Sequence, residues 1–357
     1  ELKKFCKKVI TINRKKQWTI GNILKTGLSL SPFLITGHTR IKMKEEIQRE
    51  LNESQFDLIH AETSYIMQNI PALRGDPPID IPLILAEHNV EYLVYKRFAD
   101  NASLPLRLLL YIDVLKLKYW EEAMWMKATK LIAVSEIEKK IMEKKRKDVV
   151  VVSNGVDINK FKVRNERSEV RSSEKRILFI GEFKWVQNID AIEWILKEIW
   201  PRFVRLWRTL RGKPKIKLWV VGRSIPDKIR KLTSDKDIVF DENAPDKTEL
   251  IYQKADLLLA PIRVGGGTSF KILEAMASGV PVITTPLGNA IGALENEEIV
   301  IANDSNGFVQ KIRELLGNEK FYEKISRNAR KLIEEKYNWE KIANDLNSVY
   351  ESVVSYA

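Results

Sequence analysis

Between Pro261 and Gly279 the chain reads Pro-Ile-Arg-Val-Gly-Gly-Gly-Thr-Ser-Phe-Lys-Ile-Leu-Glu-Ala-Met-Ala-Ser-Gly, its densest set of residues able to do chemistry. Gly265, Gly266 and Gly267 have no side chain to keep a ligand off the backbone, and apolar residues at helical spacing follow. The helix they imply opens with free N–H groups and a positive dipole end, a setting that suits a diphosphate. Thr268 or Ser269 is placed to cap it, and Lys271 and Glu274, three apart, share one face. A carboxylate there could accept two hydrogen bonds from a ribose diol, although a tight turn without a ligand would read the same way. His88 and His60 each end an apolar stretch, where a histidine serves as readily as a hydrogen-bonded edge residue as in catalysis. Asp235-Lys-Asp237 imitates an Asp-x-Asp metal motif but sits among charges, so it is read as a solvated turn and no metal site is expected.

These residues need a scaffold, and the apolar pattern supplies one. In the C-terminal half short apolar runs alternate with helical periods: strands at 176–180, 216–221, 238–240, 257–261, 280–284 and 299–302, and helices over 188–203, 227–232, 248–254, 270–277 and 308–316, then a long tail over 321–354 broken near Tyr337-Asn338-Trp339. Such alternation specifies a parallel sheet covered on both faces. The N-terminal half repeats it, with strands predicted at Val9–Ile12, Phe56–His60, Ile81–Ala86, Leu131–Val134 and Val149–Val152 and helices over 42–52 and 106–126. The polar stretch Asp157–Lys175 is the expected linker. Three regions follow: 1–160, 176–340, and a terminal helix over 341–357 expected to pack back on the first.

The chain of 357 residues is long enough for two cores. A single cysteine, Cys6, can form no internal disulfide and reads as the mark of a reducing compartment or of a chain indifferent to redox state. No apolar run approaches the roughly 18 residues of a membrane-spanning helix. The formal charge of +12 lies mostly in the first half. Lys139–Lys147 reads as a solvated helix face; without aromatic interleaving or a known motif it does not point to nucleic acid. The mixed aromatic and aliphatic segment Trp18–Ile35, beside that basic charge, is read either as core or as a surface resting on anionic lipid headgroups. Asn154-Gly155 is read as a turn using positive φ.

The run from Gly265 to Thr284 resembles the donor-site signature of the retaining glycosyltransferases of family 4, which have the GT-B fold, and in particular a branch with Gly-Gly-Gly-Thr. Phe56-Asp-Leu-Ile-His-Ala61, Ile84-Leu-Ala-Glu-His-Asn-Val-Glu91, Leu131-Ile-Ala-Val-Ser135, Val151-Val-Ser-Asn-Gly-Val-Asp157, Ile177-Leu-Phe-Ile-Gly181 and Trp219-Val-Val-Gly222 resemble other parts of that family in the same order. The resemblance spans nearly the whole chain. It implies an α/β fold of two Rossmann-like domains facing across a cleft, the acceptor held by the first and a nucleoside diphosphate sugar by the second. Since family members open with a strand, a glycine-containing loop and a helix ahead of the strand matched at Val9–Ile12, the first domain is expected to lack that unit.

The implied reaction moves a sugar, a hexosyl group, to a glycan or lipid-linked acceptor hydroxyl in cell-surface polysaccharide or glycolipid synthesis. Configuration is retained, with no metal and no cofactor beyond the donor, in the cytoplasm or at the inner membrane face. By resemblance His88 is the active-site histidine and Glu274 holds the ribose, with Gly181, the three glycines and Thr268 around the donor. The sequence departs from the family pattern where Gly266 replaces a first glutamate and where Glu182 and Asn188 replace an arginine and a lysine. Lys184, Arg263 or Lys271 stands to supply the missing positive charge. The opposing reading is a catalytically silent relative that binds a nucleotide sugar or a partner.

Overall fold

The computed structural model describes residues 2–13, 16–71, 81–100, 102–163, 174–243, 247–264 and 268–355. Two compact units divide the chain: Glu1–Val134, Glu138–Val151 and Ser348–Ala357 form the first, Ser135–Ile137 and Val152–Asn347 the second. Both are α/β, each built on a parallel sheet.

In the first unit β1 (Ile59–Glu62), β2 (Leu83–Glu87), β3 (Lys130–Ala133) and β4 (Val149–Val151) lie in the order β1-β2-β3-β4. Every residue of β2 is buried, as expected for a strand with neighbours on both sides and helices above and below. Leu85, Leu131 and Val149 pack with Met67, Met124 and Trp125 into one core, and Leu34, Ile35 and Leu117 form a second cluster. The strand predicted at Val9–Ile12 is absent. Those four residues run irregularly, with Ile10 exposed, and the adjacent Lys8 is tethered by an ion pair to Glu50. A short alternation makes a strand only where a neighbour accepts its backbone bonds. The segment Trp18–Ile35 divides: Trp18, Ile20, Leu24, Leu28 and Leu30 are exposed, Phe33, Leu34 and Ile35 buried. Nor is Lys139–Lys147 wholly a solvated face. Arg146 donates to the carbonyls of Trp125, Ala128 and Thr129, closing the end of the 24-residue helix Leu104–Lys127.

In the second unit β5 (Glu174–Ile180), β6 (Lys215–Val221), β7 (Ile238–Asp241), β8 (Leu257–Ala260), β9 (Val282–Thr284) and β10 (Val300–Ile301) take the order β10-β9-β8-β5-β6-β7. Successive side chains of β5 and β6 enter different cores: Ile177, Phe179, Leu218 and Val220 pack on one face, Leu178, Trp219 and Val221 on the other. Ile192, Ile195, Ile199 and Phe203, at the predicted helical spacing, are all fully buried. That helix takes one π turn, Ile195–Ile199, just before Pro201, where Trp200 N–H bonds Ile195 O. Proline cannot donate in a helix interior, and the wider turn passes that defect without a break. Asp235 and Asp237 are tied to Arg208, and Asp235 also accepts from Trp200 Nε1, so this turn is braced by its own partners. Gly155 does not use positive φ. A Cβ there would meet the Trp339 ring at 2.9 Å, so close passage explains the glycine.

Candidate active site

In the second sheet the chain leaves β5 for β6 on one side and later returns through β8 on the other. Ligands of open α/β sheets bind at the carboxyl ends of strands where the order reverses in this way. Gly181 follows β5 directly, and its N–H bonds Val221 O at 3.0 Å. A Cβ on Gly181 would come within 2.6 Å of Asn188 Cγ, so the glycine lets Asn188 press against the strand end. Asn188 is buried; its Nδ2 donates to Glu182 O at 2.9 Å, and its Oδ1 accepts from Lys271 Nζ at 2.7 Å.

Lys271 belongs to the helix Phe270–Ala277, whose predicted limits match those observed. The helix is pinned at its far end. Gly279, at φ +68°, permits the paired bonds Val280 N–H to Ala275 O and Gly279 N–H to Met276 O, and Arg330 donates to the carbonyls of Ala277 and Phe161. At the near end Ser269 occupies the N-cap position with extended backbone but makes no side-chain cap bond. Ser269 therefore does not form the expected side-chain cap, while its carbonyl accepts from the N–H groups of Ile272 and Leu273. Thr268 is half-buried beside it. Gly265, Gly266 and Gly267 lie outside the described residues.

Glu274 stands one turn beyond Lys271. Its Oε2 accepts from the hydroxyl of buried Tyr252 at 2.8 Å, while Oε1 has no hydrogen-bond partner among the described residues. Burial raises the Glu274 carboxyl above its ordinary range, with the Tyr252 bond pulling the other way, and it lifts the Tyr252 phenol well above its usual value. Burial also draws Lys271 down to about 8. The two other candidate cations are committed elsewhere. Lys184 pairs with Glu182 at 2.5 Å, and Arg263 grips Asp190 through two bonds of 2.9 and 3.1 Å while stacking on Trp194 at 4.3 Å. Of the three cations considered, only Lys271 has a neutral hydrogen-bond partner.

The first unit holds a separate cluster at the carboxyl ends of β1 and β2. His88, one residue past β2, is exposed, and its Nε2 lies 2.6 Å from Glu62 Oε2. Below it are two fully buried carboxyls. Glu87 accepts from Trp125 Nε1 and the Ser64 N–H, and Glu121 accepts from the N–H groups of Glu91 and Tyr92, at the start of the helix Glu91–Asp100. Burial pushes Glu87 and Glu91 up to about 7 and Glu121 well above the carboxylate range. Sequence reasoning missed Glu62, Tyr252 and the role of Asn188. Glu62 alone left a trace, as the residue two beyond His60.

Comparison with known proteins bears on the fold and the family. Residues 23–160 match the model for Glycosyltransferase Family 4, and residues 174–318 that for Glycosyl transferases group 1. A 44.6 kDa protein of the cps region of Klebsiella pneumoniae is 24% identical over 358 residues, covering 97% of this chain and 85% of that protein. The capsular polysaccharide biosynthesis glycosyltransferase CapM of Staphylococcus aureus is 27% identical over 246 residues, 62% of this chain and 61% of its own length. HepE of Anabaena, solved with UDP and glucose, superimposes with a TM-score of 0.62 at 15% identity, covering 87% of this chain and 81% of HepE. With both domain matches and the structural likeness in agreement, this chain is a glycosyltransferase of the GT-B fold.

Proposed function

We propose that the chain transfers a hexosyl group from a nucleoside diphosphate sugar to a hydroxyl of a glycan or lipid-linked acceptor, with retention and without a metal. The observation that carries this is the strand-end corner of the second unit: Glu274, with Oε1 unpartnered among the described residues, and Lys271 lie one turn apart on one helix face, near an N-terminus where Ser269 makes no side-chain cap bond. A ribose diol suits the carboxylate, and a diphosphate suits the ammonium and the helix N-terminus. Lys271, rather than Lys184 or Arg263, then holds phosphate and stabilises the leaving diphosphate. His88 is the catalytic side chain of the first unit, which takes the acceptor. The likeness to CapM and to a cps-region protein supports a polysaccharide acceptor.

The same reading places the protein at the cytoplasmic face of a membrane. Leu2 to Lys44 contains no Asp or Glu but many lysines, and exposed Trp18, Ile20, Leu24, Leu28 and Leu30 lie within it. Among the described residues no helix is long and apolar enough to cross a membrane, so contact would be peripheral. A thermal-shift screen with UDP, GDP and ADP followed by calorimetry tests the donor assignment. Glu274→Ala should weaken the preferred nucleotide by roughly 1–3 kcal/mol, and unchanged affinity would remove Glu274 from the site.

A further inference from the structure

The carboxyl end of the first sheet carries a line of side-chain contacts that the proposed transfer has not used. β1 and β2 run parallel with Glu62 opposite Ala86, so Glu62, at the end of β1, stands beside His88. Glu62 Oε2 lies 2.6 Å from His88 Nε2, and Oε1 lies 3.1 Å from His60 Nε2. His60 Nδ1 in turn meets the Tyr350 hydroxyl at 2.9 Å, with the two rings edge-on at 5.7 Å.

Each contact fixes a proton. An ionised carboxylate only accepts, so both Nε2 atoms must carry hydrogen. His60 is thus held between Glu62 and the Tyr350 hydroxyl, and Glu62 keeps its other oxygen for His88. The ring of His88 is exposed, and its Nδ1 has no hydrogen-bond partner among the described residues.

We propose that Glu62 is the positioning residue of His88: by accepting a hydrogen bond from Nε2–H it holds the imidazole and leaves Nδ1 as the ring atom that meets substrate. This rests on the reading of His88 as catalytic. Three carboxyls face His88: Glu62 from β1, Glu87 from β2 and Glu91 from the helix that follows. Glu87 and Glu91 are pushed up to about 7 by burial, whereas the bonds from His60 and His88 draw Glu62 down to about 2. Glu62 is thus the one of the three that stays ionised throughout the neutral range. Its hydrogen bond is the chief cause that raises the His88 imidazole above its ordinary value. While protonated the ring donates from both nitrogens; once neutral it keeps hydrogen on Nε2 and presents Nδ1 as an acceptor.

Long-range proton–nitrogen NMR on the nitrogen-15-labelled full chain tests this without any ligand. The chain has three histidines, and His88→Gln assigns the relevant signals. In the wild type His88 should keep hydrogen on Nε2 in its neutral form, with a midpoint above about 6.5. Glu62→Gln should drop that midpoint to about 6.5 or below and mix the tautomers; Glu62→Asp, which keeps the charge but withdraws it by one methylene, should fall between. An identical midpoint and tautomer in wild type and Glu62→Gln would overturn the proposal. UDP release from UDP-glucose separates the two layers. Loss of turnover in both variants, with kcat in Glu62→Gln down roughly tenfold or more and KM little changed, supports positioning. Loss in His88→Gln alone overturns it, and full turnover in His88→Gln overturns the catalytic reading of His88 while leaving the NMR result standing.

Discussion

Raising the pH from 7 to 9 should weaken nucleoside diphosphate binding about tenfold through Lys271 alone. Burial disfavours the ammonium, and the neighbouring Glu274 charge offsets this only in part, so the side chain titrates at about 8. Its hydrogen-bond partner Asn188 is neutral and does not restore the charge. With that midpoint roughly nine-tenths of the molecules carry the charge at pH 7 and about one-tenth at pH 9. Only the charged fraction is competent to hold a diphosphate by this contact, so apparent affinity scales with it, a change of about 1.3 kcal/mol. Calorimetry with UDP at pH 7, 8 and 9 measures the slope, and buffers of different ionisation enthalpy count the protons: at pH 8 binding should take up roughly half a proton. Lys271→Arg stays charged at every pH tested and should flatten the profile. Lys271→Met should also be flat, but roughly 10–100-fold weaker at pH 7, the loss expected for a hydrogen bond to a charged group. A wild-type affinity constant between pH 7 and 9 with no proton uptake would refute the reasoning, as would an equal slope in Lys271→Met.

Tyr252→Phe removes the hydroxyl that holds Glu274 Oε2; thermal unfolding should show a loss of about 1–2 kcal/mol and calorimetry a several-fold weaker nucleotide, whereas wild-type affinity would mean that Glu274 needs no second partner. Arg330→Met removes donors to the carbonyls of Ile158, Phe161 and Ala277 and should cost about 2–3 kcal/mol in urea denaturation; a loss below about 0.5 kcal/mol would show that water replaces the guanidinium there.

What could be read in the sequence was what repeats locally. The helix Phe270–Ala277 and the buried row Ile192, Ile195, Ile199 and Phe203 follow from periodicity within one element, and the strands of the second unit from apolar runs between turn residues. Val9–Ile12 has the same local pattern but no neighbouring strand, and pairing is not a local property. Contacts across many residues were equally invisible. Asn188 and Lys271 are 83 residues apart, and Glu62 and His88 are 26 apart. Each pair is made by two parallel strands whose ends fall side by side, so no spacing along the chain reports it. Tyr252 left no signal at all, since a tyrosine in a short apolar helix reads as core, and its ring is indeed buried while its hydroxyl alone serves the site.

Glu182, Asn188 and Gly266 looked at first like a donor site stripped of its charge, and the placement of Asn188 argues for a different account. Were the site merely decayed, a buried polar residue at that position would be expected to drift toward an apolar one, because an unpaired buried amide is costly. Asn188 instead spends its amide on both sides, donating to Glu182 O and accepting from Lys271. A lysine at 188 would repel Lys271; an asparagine holds it. On the proposed donor site, the positive charge is carried by Lys271 on the helix after β8 in place of a lysine on the helix after β5. On this account restoring the family pattern should harm the protein: Asn188→Lys places two ammonium groups in hydrogen-bond range, and without nucleotide it should cost roughly 1–3 kcal/mol of stability. Added UDP should recover part of that loss, because a diphosphate can satisfy both charges. A variant as stable as the wild type without nucleotide, and no better stabilised by UDP, would show that Asn188 does not stand in for the lysine and that Lys271 is not the relocated charge.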